Sequence, residues 1–170
     1  MRTIILSLLV LSATAAFGQA DKSQRPSPPA LVKETLNNGT TVSIDYSQPA
    51  VKGRVIGSEL EPMPGKVWRT GANEATVFEV DKNVKIENQP LPAGKYGLFT
   101  IMNGDEWTII FNKTWNQWGA FNYKDADDAL RVTVKSGKAP QFSERMTFLI
   151  AKDGKVTLLW GDIEVDFRVN

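Results

Sequence analysis

The chain contains neither cysteine nor histidine among its 170 residues. Without a thiol it can form no disulfide and no thiolate metal site, offer no cysteine nucleophile, and carry no lipid on an N-terminal cysteine. Without an imidazole it lacks the commonest metal ligand and the commonest general base at neutral pH, so serine–histidine–acid triads and histidine-based zinc hydrolysis are excluded. Any catalysis must use Asp, Glu, Lys, Arg, Tyr, Ser or Thr. A dominant charge is missing too. The formal net charge is +1, which gives no footprint for nucleic acid. Nor is there an uninterrupted apolar run of the ~20 residues that a membrane-spanning helix requires.

What is present is an ordinary globular mixture, 42% hydrophobic and 23% charged, enough for one packed core in a chain of this length. Met1-Arg2-Thr3 is a short basic start, the run Ile4 to Leu11 is apolar, and Ala16-Phe17-Gly18 fits a small-x-small cleavage site. Residues 1–18 therefore read as a signal peptide, and the mature chain is expected to be exported to the periplasm or secreted, with no transmembrane segment and no cysteine-linked lipid. Residues 19–30 carry Pro26, Pro28 and Pro29 and read as a disordered or extended leader. Residues 31–170 are expected to fold as one domain.

Within 31–170 the hydrophobic period is two. Val42, Ile44 and Tyr46 alternate with polar neighbours, as do Leu130, Val132 and Val134, and Ile163, Val165, Phe167 and Val169. Asn103-Gly104 sits between Lys95–Met102 and Glu106–Asn112, a hairpin whose strands are apolar on both faces and so belong at the covered centre of a sheet. Asp153-Gly154 and Gly161-Asp162 read as further turns, and Lys124–Ala129 is the one helix candidate. Nine or ten short strands with almost no helix predict an all-β antiparallel fold, a β-sandwich or jelly-roll-like architecture, with a closed barrel as the alternative.

Two stretches interrupt this pattern. Trp68-Arg69-Thr70-Gly71-Ala72-Asn73-Glu74-Ala75 places an aromatic, a guanidinium, an amide and a carboxylate around a glycine. Arg69 offers a planar donor fork, Asn73 donates and accepts, and Glu74 can act as a base or as a partner for Arg69. Trp115-Asn116-Gln117-Trp118-Gly119-Ala120-Phe121-Asn122-Tyr123 mixes four aromatics with amides, a combination suited to the faces and hydroxyls of a sugar or another small polar ligand. Trp68, Arg69, Asn73, Glu74, Trp115, Trp118 and Tyr123 are the candidate ligand-binding residues. The bland readings are an Arg69–Glu74 pair pinning a corner, and rings capping one end of the fold with Trp118 and Phe121 in the core and Trp115 exposed. Asp125, Asp127 and Asp128 lack the glycine and closing glutamate of a calcium loop, so no metal and no cofactor is expected. Lys52, Arg54, Lys66 and Arg69 read as a solvated basic face, an anion patch being the alternative.

The blocks Tyr46–Arg54, Gly65–Ala75, Leu91–Tyr96 and Gln117–Tyr123, in that order, resemble a family of exported bacterial proteins known only as a domain of unknown function (family 2911), common in the Bacteroidota and their relatives. The resemblance runs over most of 31–170. It implies an envelope address and supplies no activity, cofactor or catalytic residue. Three functions follow as expectations: a non-enzymatic binding module for a small polar ligand or glycan; a carboxylate-driven carbohydrate hydrolase or lyase using Glu74 with Glu106 or Asp125; or a structural or protein-interaction domain.

Overall fold

The computed structural model describes residues 21–170; the signal-peptide reading of residues 1–18 lies outside them. Ten strands run through the described residues: β1 (Pro29–Thr35), β2 (Thr41–Ser47), β3 (Val67–Trp68), β4 (Thr76–Val80), β5 (Val84–Ile86), β6 (Gln89–Leu91), β7 (Gly94–Asn103), β8 (Glu106–Asn112), β9 (Asp128–Ile150) and β10 (Lys155–Arg168). The only helical pieces among these residues are 3-10 turns at Lys22–Gln24 and Asp125–Asp127. The described residues are all-β apart from these turns, as the alternating pattern predicts.

Eight strands form one antiparallel sheet in the order β1-β2-β4-β7-β8-β9-β10, with β3 also on β7; β5 and β6 pair separately. The sheet curls over its inner face into an open half-barrel. Its margins are drawn together where Val51 N donates to Glu144 O and Met146 N to Pro49 O, and where Lys85 and Asn170 exchange backbone hydrogen bonds. Facing parts of one curled sheet thus pack like the layers of a sandwich. The alternate residues that point inward close around Phe78, Phe111, Phe167, Trp107 and Trp160.

The central hairpin is buried on both sides. Tyr96, Leu98, Met102, Trp107, Ile109 and Phe111 face the inner core, while Phe99 and Ile110 face outward into a second, smaller cluster with Ala75, Ala120 and Tyr123. That outer cluster exists because the two irregular stretches are laid over β7 and β8.

Local details depart from the pattern. The hairpin loop is Gly104-Asp105, between the paired Asn103 and Glu106; Gly104 takes the positive φ of 65° and Asn103 stays in the strand. Gly161 does not reverse the chain. It lies inside β10 with φ 60° at a register shift against β9, so its freedom makes a bulge rather than a turn. The helix candidate Lys124–Ala129 is reduced to the 3-10 turn, because Asp128 and Ala129 are taken into β9.

Candidate functional site

Trp68 pairs with Thr100 and Thr76 with Leu98, so the whole segment 69–75 stands opposite Phe99 alone. The first irregular stretch is therefore an excursion from an otherwise collinear strand, β3 running into β4. Its neck is closed by hydrogen bonds: Thr76 N to Arg69 O at 3.2 Å, Thr76 Oγ1 to Thr70 O at 2.8 Å, and Thr70 Oγ1 to Thr100 Oγ1 at 3.1 Å. The buried Trp68 indole donates to Gly71 O at 3.1 Å. Thr70 and Asn73 both hold positive φ, 51° and 59°; for a β-branched threonine this is a strained position that the surrounding bonds maintain. Gly71 is needed for space. A Cβ there would lie 2.8 Å from Thr76 Oγ1 and 3.2 Å from Ser47 O.

The second stretch is anchored by Asn112, which is fully buried at the end of β8. Its amide donates to Lys124 O and Asp128 Oδ1 and accepts from Thr114 N. Asp127 accepts from the Thr114 hydroxyl, and Asp128 also accepts from Tyr123 and Arg131. Two of the three aspartates that loosely suggest a calcium loop, Asp127 and Asp128, are thus pins for this segment, and among the described residues no group of three or more acidic side chains is placed to hold a metal. Gly97 lets the segment cross β7, since a Cβ there would lie 3.3 Å from both Thr114 O and Trp115 Cα.

The two stretches meet backbone to backbone. Glu74 and Trp118 form an isolated antiparallel bridge, with Ala75 N donating to Gln117 O at 2.9 Å and Gly119 N to Asn73 O at 3.0 Å. The smaller Ala120 and the ring of Tyr123 close the outer cluster, so Trp118 and Phe121 are left outside at 53% and 83% exposure. The expectation that these two rings are core is corrected on that ground. Trp115 is half-exposed and has Lys95 Nζ 5.5 Å from its ring centroid.

Residues 21–28 lie against this junction as a strap. Ser27 O accepts from Asn73 Nδ2, Pro28 O from Gln48 N, and Pro26 O from Arg145. Arg25 Nη1 reaches both oxygens of Glu74, at 2.8 and 3.1 Å, with its guanidinium 5.9 Å from the Trp118 ring centroid, and Lys22 Nζ stands 3.1 Å from the same carboxylate. Glu74 is therefore paired with the strap and not with Arg69. Partial burial pushes its carboxyl up, but its backbone amide and the bonds from Lys22 and Arg25 outweigh this and leave it below its ordinary value of 4.5. A carboxyl depressed in the folded state stabilises the docked strap fully above that ordinary value and ceases to do so as pH falls through the folded pKa. Amide spectra recorded from pH 7 to pH 3 are expected to show residues 21–28 docked down to about pH 4.5 and releasing below it, ahead of the strands; Glu74→Gln is expected to remove the pH step.

Two cavities flank the excursion. The first, of about 220 Å³, is lined by Glu74, Trp115, Asn116 and Gln117 together with Asp45 and the strap's Lys22 and Arg25. Gln117 is 8% exposed; its Nε2 donates to Thr114 O at 2.6 Å, and its Oε1 is buried with no partner. The second, of about 370 Å³, is lined by Arg69, Lys52, Arg54, Glu61, Trp68 and Trp160 among others. The Arg69 Nε is buried without a hydrogen-bond partner. Burial lowers the guanidinium's pKa and the nearby Glu61 raises it in part.

A family model for a protein of unknown function, DUF2911, matches residues 27–169. The chain belongs to this family. No curated protein and no solved structure matches it.

Of the candidate residues in this DUF2911 chain, Glu74 and Trp115 line the first cavity, and Trp68 and Arg69 the second. Asn73 lies between them, tying the strap. Trp118 lines neither cavity and faces Arg25. Tyr123 is a brace: its ring packs 5.0 Å from that of Phe99, and its hydroxyl donates to Asp128 and accepts from Arg131. Burial and the Asp128 carboxylate push that hydroxyl up to about 12. Gln117 and Asp45 are not among the candidates read from sequence: Gln117 is one amide among several in its stretch, and Asp45 is a polar position on an alternating strand. Glu106 and Asp125, named as possible acid partners of Glu74, do not line its cavity.

Proposed function

We propose that the domain is a non-enzymatic binding module of the bacterial envelope, taking a small hydroxyl-rich ligand such as the terminal unit of a glycan in the first cavity. The buried, unpartnered Oε1 of Gln117 carries this reading. A buried acceptor left without a donor costs about 1–3 kcal/mol, which a ligand hydroxyl recovers once a shift of the Gln117 side chain opens this oxygen to the cavity it lines. Around it stand Asn116 and Ser47 for polar contacts and the half-exposed Trp115 ring for the apolar face of a sugar. The volume lies below the ~300–1,000 Å³ of sites for drug-sized molecules, which favours one small unit over a long chain. Export through the N-terminal segment, read from residues 1–18, supplies the address.

The ionised state of Glu74 argues for binding over hydrolysis. A glycosidase acid needs a carboxyl whose pKa is raised, and this one is lowered and held by two cations. A thermal-shift screen against mono- and disaccharides, followed by calorimetry on the best binder, tests the reading. Trp115→Ala and Gln117→Leu are each expected to weaken binding at least ~tenfold, a loss of about 1.4 kcal/mol. Unchanged affinity in both variants, or turnover of the sugar, would contradict it.

A further inference from the structure

The second cavity carries a separate inference. Among the described residues Arg69 has no salt bridge and no side-chain hydrogen bond, although it is largely covered and its Nε is buried. A guanidinium is a five-donor fork, and a buried donor of this kind is stable when it meets an oxyanion in its plane. The cavity adds cations to it. Lys52 and Arg54 share the lining with Arg69, against one carboxylate, Glu61. Arg54 is fixed by the backbone just before it, with Nε donating to Val51 O at 3.1 Å and Nη2 to Ala50 O at 2.6 Å, which leaves its remaining amino group for another acceptor. Glu61 is oriented by Met63 N, which donates to its Oε2 at 2.8 Å. The other walls are mostly apolar, Pro26, Pro49 and Leu60, with Ser27 the polar exception and Trp68 and Trp160 beneath. Both indole N–H groups are spent on backbone carbonyls, of Gly71 and Glu61, and both rings are almost wholly buried, so they form the floor beneath the cavity.

We infer that this cavity binds a small organic anion, a carboxylate or phosphate head received by Arg69 with Lys52 and Arg54, its apolar body lying against Pro26, Pro49 and Leu60 above the buried rings of Trp68 and Trp160. The head group is recognised by the planar fork rather than by charge alone. The site lies across the excursion from the glycan cavity and shares only the strap as a wall, through Pro26 and Ser27 on one side and Lys22 and Arg25 on the other. It stands whether or not the first cavity takes a sugar.

The test uses the mature chain with benzoate, phenyl phosphate and inorganic phosphate as probes, read by the Arg69 Nε–H resonance and the Trp68 and Trp160 indole resonances. Saturable shifts of these signals with benzoate or phenyl phosphate are expected, and which of the two binds more tightly identifies the head group. Arg69→Gln is expected to lose at least ~tenfold in affinity and Arg69→Lys to recover only part, because the charge returns without the fork. Lys52→Gln, on an exposed loop, tests the site should Arg69→Gln alter the fold; a several-fold loss is expected. Lys135→Gln, which removes one positive charge from the hairpin-turn end of β8 and β9, is expected to change nothing. No shift with either aryl anion, binding of inorganic phosphate alone, or equal affinity in Lys52→Gln and Lys135→Gln would overturn the assignment.

Discussion

Phe78→Ala is expected to destabilise the domain by about 3–5 kcal/mol, and to lower its unfolding midpoint by about 10–15 °C. Phe78 is fully buried on β4, with its ring edge-on to Phe111 at 5.0 Å and tilted against Phe167 at 6.4 Å. Phe111 in turn meets Phe167 at 5.9 Å. These rings come from strands in the middle and at the end of the sheet, so they hold the curl and not merely one strand pair. Removing Phe78 leaves a cavity and breaks two aromatic contacts, which the backbone of a hydrogen-bonded sheet cannot collapse to fill. Phe121→Ala is the matched control. At 83% exposure its loss should change stability by less than about 0.5 kcal/mol. Urea unfolding of both variants checks the pair, and equal midpoints would show that the inner face is not where the rings are placed.

Asn112→Ala is expected to cost about 2–4 kcal/mol and, unlike Phe78→Ala, to act first on the site. The amide makes three hydrogen bonds, two to the segment that carries Trp115 and Gln117 and one to the Asp128 carboxylate where β9 begins. Alanine leaves Lys124 O and Thr114 N without their partner and frees Asp128 from one of its donors. The segment 113–127 should loosen while the strands stay paired. Amide exchange is the discriminating readout: faster exchange confined to 113–127 and its bridge to 73–75 is expected, with β7 and β8 still protected. Uniform loss of protection would mean that Asn112 supports the whole fold and not the segment.

The strands were legible because their burial has a period of two, and the covered hairpin because β7 and β8 are apolar on both faces. The meeting of the two irregular stretches could be posed from sequence but not decided, since it rests on one backbone bridge between residues of no particular pattern, Glu74 and Trp118. Glu74 illustrates the gap most sharply. Its nearest cation in sequence is Arg69, yet its partners are Arg25 and Lys22, because the excursion turns its two ends to opposite sides and the strap returns over one of them. Trp118 and Phe121 look like core by composition, but the residues of that stretch that pack on the outer face of β7 and β8 are Ala120 and Tyr123. The basic residues Lys52, Arg54 and Arg69 read as a solvated face until the curl brings them to one cavity, which Lys66 does not join.

The account depends on the Arg69 and Trp115 stretches being joined. Glu74 and Trp118 face each other as a non-hydrogen-bonded antiparallel pair, flanked by the bonds of Ala75 and Gly119, a geometry that brings their α-hydrogens together. A nuclear Overhauser spectrum of the mature chain should show a strong Hα–Hα contact between Glu74 and Trp118, with the Ala75 and Gly119 amides exchanging slowly. Absence of that contact, with both amides exchanging at the rate of free chain, would contradict the shared site.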